Sequence, residues 1–202
     1  MNSKLNRMEQ QELSPRESLQ LIESMISKAQ NRFSENGHLY LLWGWVILFC
    51  STASFIMIYF FHTMDWLNVV WLLTLPTVIY QMIYLARNKK KQPVKTYTDE
   101  ISNYVWIVFV IMGFLTGVVI GRSGHPELFN PFILILYGMP TFLSGVVLRF
   151  VPLRIGAVCC WALAIVTMFL PSEFSFLMLA LAVITAWIVP GYLLRMRFQN
   201  QN

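Results

Sequence analysis

The side chains able to do chemistry fall into two sets that the apolar runs of the sequence keep apart. One set is ionisable and lies between the runs: His62, Asp65, Arg122, His125, Glu127 and Glu173. Imidazole and carboxylate groups ligate zinc and other divalent cations, and short loops can bring such groups together. The plainer reading is that loops at a membrane surface must be polar and these residues fill them. The other set is uncharged and lies within the runs: Pro76, Thr77, Tyr80 and Gln81 in one, and Tyr137, Pro140, Thr141 and Ser144 in another. A proline inside a membrane helix frees a carbonyl that a nearby hydroxyl or water must satisfy. Carriers build midplane binding sites from such broken helices. The plainer reading here is a kink that shapes the bundle.

Catalytic constellations are missing. No Asp, Glu, Lys, Arg or His falls in the central part of any apolar run, where proton relays, ion coupling and intramembrane catalysis place their working groups. An intramembrane serine protease would want GxSG and a later histidine. The nearest match, Phe142-Leu143-Ser144-Gly145, lacks the first glycine, and no histidine follows Ser144. There is no HExxH pair, no phosphate-binding Gly-rich loop and no dinucleotide fingerprint. Cys50, Cys159 and Cys160 lie in apolar runs without CxxC or metal spacing, so they read as small packing residues. We expect no enzyme activity, no catalytic residue, no metal and no cofactor.

The elements that hold these residues are set by composition. Of 202 residues, 56% are hydrophobic and only 12% charged, about half the charge of an ordinary soluble domain. The expected fold is all-α: a polytopic membrane protein with six transmembrane helices in three hairpins, preceded by a cytoplasmic amphipathic helix. The spans fall at residues 39 to 61, 66 to 86, 104 to 121, 131 to 148, 151 to 170 and 174 to 194. Each holds close to the ~20 apolar residues that cross a hydrocarbon core. Pro152 and Arg154 interrupt the start of the fifth, where Arg154 can snorkel to the interface. Each returning helix of a hairpin carries a proline: Pro76, Pro140 and Pro190.

Charge sets the orientation. The run from Arg87 to Lys95 packs five of the fifteen basic residues between two spans, and short basic loops stay in the cytoplasm. Lys4, Arg7, Arg16, Lys28 and Arg32 precede the first span, Arg149 and Arg154 bracket the joint of spans four and five, and Arg195 and Arg197 follow the sixth. Fourteen basic residues thus share one side, against Arg122 on the other. Both termini are expected in the cytoplasm, residues 195 to 202 as a tail. The net charge of +5 is explained by topology, and nucleic acid is not an expected partner. Residues 1 to 38 lack an apolar signal core, so the first span is expected to act as the insertion signal.

Ahead of that span, Ser14-Pro15-Arg16-Glu17 starts a helix, with Ser as N-cap and Pro at the first helical position. It runs to residue 35, before Asn36-Gly37. Leu19, Ile22, Ile26, Ala29 and Phe33 follow one another at intervals of three and four, a coiled-coil-like seam. The opposite face carries both charge signs, unlike a membrane-surface helix. The seam therefore needs an apolar partner: the protein's own loops, a second copy, or a cytoplasmic protein.

Small residues mark packing faces. Gly113, Gly117 and Gly121 form a ridge on span three; Gly138, Thr141 and Gly145 line span four; Gly156, Cys160 and Ala164 line span five. All three read as contacts within the bundle.

Three stretches, Glu35-Asn-Gly-His-Leu-Tyr-Leu-Leu-Trp-Gly-Trp45, Gly138-Met-Pro-Thr-Phe-Leu-Ser-Gly145 and Val189-Pro-Gly-Tyr-Leu-Leu194, together resemble a family of small, uncharacterised six-span integral membrane proteins from Bacteroidota-type bacteria. The resemblance runs from the helix start at Ser14 onward. It implies an inner-membrane location and brings no catalytic residue. The expected function is a non-enzymatic scaffold or sensor coupled to a partner through the seam of residues 19 to 33. The alternative is a carrier or binder of a small apolar or lipid-like molecule at the proline-kinked midplane of spans two and four.

Overall fold

Inside a bilayer every backbone N–H and C=O needs a partner within the protein, and helices supply it within one segment. The computed structural model describes Ser14, Arg16, Leu19 and residues 37 to 62, 67 to 91 and 97 to 199, and among the described residues there is no strand. The chain divides into two compact units, Met1–Phe33 and Ser34–Asn202. In the first, Arg16 and Leu19 are helical and exposed. The rest of the seam, Ile22, Ile26, Ala29 and Phe33, lies outside the described residues.

The second unit runs α1 (His38–Phe61), α2 (Leu67–Trp71), α3 (Thr74–Lys91), α4 (Tyr97–Ser123), a 3₁₀ turn (Pro126–Leu128), α5 (Phe129–Val147), α6 (Val151–Thr167), α7 (Phe174–Val183), a π-helical turn (Ile184–Ile188) and α8 (Val189–Gln199). Among the described residues, five helical stretches are long and apolar enough to cross a membrane: His38–Phe61, Val69–Arg87, Glu100–Ser123, Pro126–Val147 and Phe174–Arg197. They define a multi-pass helical membrane protein. The stretch expected as span five, Val151–Thr167, is shorter. At 1.5 Å per residue it is about 25 Å long, against a hydrocarbon core of about 30 Å.

Several boundaries differ from the sequence expectation, each for a local reason. Helix α3 continues through Arg87 to Lys91, so half of the basic stretch is helical rather than loop. Helix α4 begins at Tyr97, seven residues before its apolar run. The second span is broken at Leu72-Leu73, ahead of its proline. Pro76 has no N–H for the carbonyl four residues back and its ring crowds it. The Leu72 carbonyl instead accepts from the Leu75 N–H at 3.0 Å. Thr74 Oγ1 donates to the Trp71 carbonyl (2.7 Å) and Thr77 Oγ1 to that of Leu73 (2.9 Å). Pro76 therefore sits in the first turn of α3, where no N–H is needed. Pro140 by contrast lies inside α5. Pro190 follows the π turn, whose hydrogen bond from the Val189 N–H to the Ile184 carbonyl skips a residue.

The core lies between α1, α5, α6 and α7 with its π turn, around Ile47, Leu134, Leu179, Val183 and Trp187. Helix α6 packs along α5, α7, the π turn and α8. The two small-residue lines on α5 and α6 are used here. A Cβ at Gly156 would lie 2.6 Å from Ala186 Cα and 2.7 Å from the Thr185 carbonyl oxygen, so two backbones touch. The indole of Trp161 occupies the space over Gly138 and donates to the Ile135 carbonyl at 3.1 Å. The ridge on α4 behaves differently and corrects the expectation of an internal contact. Among the described residues nothing stands within 4 Å of a Cβ at Gly113 or Gly121, and at Gly117 the edge of Phe129 comes no nearer than 3.8 Å. Only 6% of the apolar stretch of the second span and of α4 is buried, against 50% for α5 and 56% for the stretch through α7 and α8.

Contacts fix the two ends of the bundle. His38 at the start of α1 lies against Tyr84 near the end of α3, with ring centroids 5.1 Å apart. Phe150, Leu153 and Leu194 pack together with Tyr40, joining the α5–α6 turn to α8 and α1. The opposite end joins Phe55 and Tyr59 of α1 to Phe174 of α7, with centroids 5.8 and 6.0 Å apart. There, too, Asn130 Nδ2 donates to Ser175 Oγ at 2.7 Å. Arg87, Arg149, Arg154, Arg195 and Arg197 accordingly share one end, and Arg122 lies at the other.

Candidate functional site: an aromatic and hydroxyl belt

The uncharged polar residues singled out in the sequence are brought to two places, both on α1. Tyr80 and Gln81 of α3 reach its first turns: His38 Nε2 and Tyr80 Oη are 3.1 Å apart, and Trp43 Nε1 donates to Gln81 Oε1 at 2.6 Å. Thr77 is buried and its hydroxyl is committed to the Leu73 carbonyl. Pro76 is exposed.

Tyr137, Pro140, Thr141 and Ser144 of α5 are all buried. Thr141 Oγ1 donates to the Tyr137 carbonyl at 2.7 Å and accepts from Trp187 Nε1 at 3.0 Å. The rings of Tyr137 and Trp187 lie with centroids 4.8 Å apart; Phe109 of α4 stands 5.5 Å from Tyr137, and Trp106 stands 6.2 Å from Trp187 and from Tyr40. The Tyr40 hydroxyl interacts with that of Ser144. The two sets do not meet as one pocket between spans two and four. Tyr40 and Trp43 of α1 stand between them, Trp43 bonded to Gln81 and Tyr40 beside Ser144.

The belt is a structural device in its chemistry. Four hydroxyls of the membrane interior are already donated to carbonyls one turn back: Thr77 to Leu73, Thr141 to Tyr137, Ser51 to Ile47 (2.6 Å) and Ser54 to Cys50 (2.7 Å). An indole N–H in the membrane interior must find an acceptor, and four tryptophans do so: Trp43 on Gln81, Trp71 on Ser54, Trp161 on Ile135 and Trp187 on Thr141. Tyr40, Trp43, Trp106 and Trp187 were not singled out by sequence reasoning. In an apolar run a tryptophan reads as bulk, yet its one obligatory donor is the signal that could have found them.

The ionisable set is dispersed. His125 Nδ1 lies 2.9 Å from Glu127 Oε1, both side chains exposed. Asp65 lies outside the described residues, and His62 and Glu173 are exposed. Among the described residues, no three of His, Cys, Asp and Glu come together in a way that could hold a metal ion. The cysteines are free: Cys50 Sγ rests on the Val70 carbonyl (3.4 Å) and Cys160 Sγ on that of Ala182 (3.9 Å).

The geometry defines a class, a multi-pass helical membrane protein with an internally bonded core. Comparison with protein families, with curated proteins and with solved structures found no match for the chain.

Proposed function

We propose that this is a non-enzymatic inner-membrane protein of six spans, acting as a scaffold or sensor that couples to a partner through its N-terminal helix. The observation that carries the reading is Leu19. It opens the apolar seam of residues 19 to 33, belongs to a compact unit distinct from the bundle, and keeps 65% of its surface exposed. A stripe of apolar residues, as the sequence sets out over residues 19 to 33, marks an interaction face where a single exposed leucine would not. The membrane core, by contrast, has its polar groups bonded to one another, which suits a rigid platform.

Six crossings are supported by α6. It packs along α5 and against α7, the π turn and α8, and the turn before it meets Leu194 of α8 at the same end of the bundle. With the turns at either end it approaches the span length that 17 residues leave short. Six crossings place both termini on one side, and the basic residues gathered at that end make it the cytoplasmic one.

Affinity capture from gently solubilised membranes tests the reading, with the full chain set against a chain lacking residues 1 to 36. A partner held by the first and lost by the second supports a docking protein. No partner on either sinks that reading and turns attention to the alternative, a carrier or binder of a small apolar or lipid-like molecule. The observation favouring that rival is the second span, which stands mostly unburied yet carries Tyr80 and Gln81 against α1.

A further inference from the structure

The joint between α5 and α6 has a feature that orientation alone does not require. Helix α5 ends in a Schellman turn: the Phe150 N–H bonds the Gly145 carbonyl (2.9 Å) and the Arg149 N–H bonds that of Val146 (3.1 Å). The left-handed position of such a turn, φ +50° here, normally belongs to glycine, and in this chain it holds Arg149. A side chain kept in a strained backbone conformation points to function.

Five residues on, the side chain of Arg154 packs over Gly145, where a Cβ would lie 2.8 Å from its Cγ. Its Nε is shut off from solvent and has no hydrogen-bond partner, while the side chain as a whole stays half-exposed. Arg197 holds its guanidinium 5.9 Å over the ring of Phe150, and Arg195 adjoins Leu194, which packs on Phe150 and Leu153. The N-terminus of α6 between these arginines has no side-chain cap. Among the described residues no carboxylate pairs with any of the four. Arg149 and Arg154 thus flank the uncapped, positive N-terminus of a 17-residue helix, and the Arg197 guanidinium lies over its N-cap residue Phe150.

We propose that this corner binds the phosphate of an anionic phospholipid headgroup. It lies at an end of the bundle, where headgroups are, and the apolar cluster beneath it continues onto exposed Val151 and Ile155, which suit an acyl chain. Basic pockets between membrane helices bind acidic headgroups in this way.

The test is native mass spectrometry of the full chain in detergent, where no membrane surface potential acts, with phosphatidylglycerol or phosphatidylcholine added. Wild type should retain phosphatidylglycerol over phosphatidylcholine, and Arg154→Gln should weaken that retention roughly tenfold. Arg149→Gly is the more telling variant. It should raise thermal stability, because glycine fits the left-handed position, and still lower retention. Replacing Lys89, Lys90 and Lys91 by Gln removes three charges, against one in each arginine variant, and should leave retention unchanged. Equal loss in the lysine variant, or full retention in both arginine variants, overturns the proposal. If inorganic phosphate alone gives the same thermal upshift as the lipid, the occupant is the free anion and the lipid assignment falls.

Discussion

Trp187 Nε1 donates to Thr141 Oγ1 at 3.0 Å, and this bond ties the π turn before α8 to the proline-containing turn of α5. Both partners are buried, Thr141 completely. The two irregular turns face each other: Pro140 disturbs the ladder of α5, Pro190 that of the last helix, and the hydroxyl-to-indole link crosses between them. Where lipid offers no hydrophobic drive for helix association, such bonds and close van der Waals packing hold the helices together.

Removing the hydroxyl should therefore be felt through the indole. Thr141→Val keeps the shape but leaves the Trp187 N–H buried without an acceptor, and should cost about 1–3 kcal/mol. Trp187→Phe removes the donor together with packing against Tyr137. A double-mutant cycle, read by unfolding in mixed detergent, should give a coupling on the order of 1 kcal/mol. A coupling of zero would mean that the bond does not join the turns.

Two glycines of similar appearance in the sequence should behave in opposite ways. Gly156→Ala drives a methyl against the backbone of Ala186 and Thr185, neither of which can rotate away. It should destabilise by about 1–3 kcal/mol or separate α6 from the last helix. Gly113→Ala meets nothing within 4 Å and removes a glycine from a helix interior, so it should be neutral or stabilising by up to about 1 kcal/mol. Thermal melts in detergent decide it. A severe loss at Gly113 would show that another helix covers that ridge.

This contrast also shows what the sequence carries. Length and apolarity are enough to place a span, because a run either covers the hydrocarbon or does not; the first, fourth and last apolar runs became helices close to where composition put them. Spacing tells only that a close approach is permitted. Gly113, Gly117 and Gly121 permit one as clearly as Gly156, Cys160 and Ala164, but whether a neighbour arrives depends on tertiary placement. The helix break in the second span was legible from Pro76 but misplaced, since proline acts on the carbonyl four residues back. The belt was half legible. Hydroxyls and prolines stand out in an apolar run, while Trp43 and Trp187, which satisfy two of those polar groups, do not. The corner of arginines was visible as charge, and only the fold shows the left-handed turn and the buried Nε.

Whether α6 crosses the bilayer can be read from thiol accessibility. In a chain with Cys50, Cys159 and Cys160 replaced by Ala, single cysteines are placed at Val151 and at Ser172, both exposed and at opposite ends of α6. An impermeant maleimide on intact cells should label Ser172→Cys and spare Val151→Cys until the cells are permeabilised. Labelling of both from the same side would reduce the count to five crossings and separate the termini.

The last prediction concerns the seam. Leu19→Asp with Ile26→Asp places two charges on the apolar stripe read from the sequence and changes no residue of the membrane spans, so the protein should insert and melt as before while losing its captured partner almost completely. Asp at the exposed helical position of Leu19 costs about 0.5–1 kcal/mol, too little to unfold a bundle anchored in lipid. Thr77→Val is the matching change for the rival reading, since it removes a hydroxyl from α3 and leaves the N-terminal unit alone. Capture that survives the double Asp substitution and fails with Thr77→Val would transfer the function from the N-terminal helix to the membrane interior. The reverse pattern assigns it to the seam, because the two changes fall in different segments of the chain, residues 19 to 33 and α3.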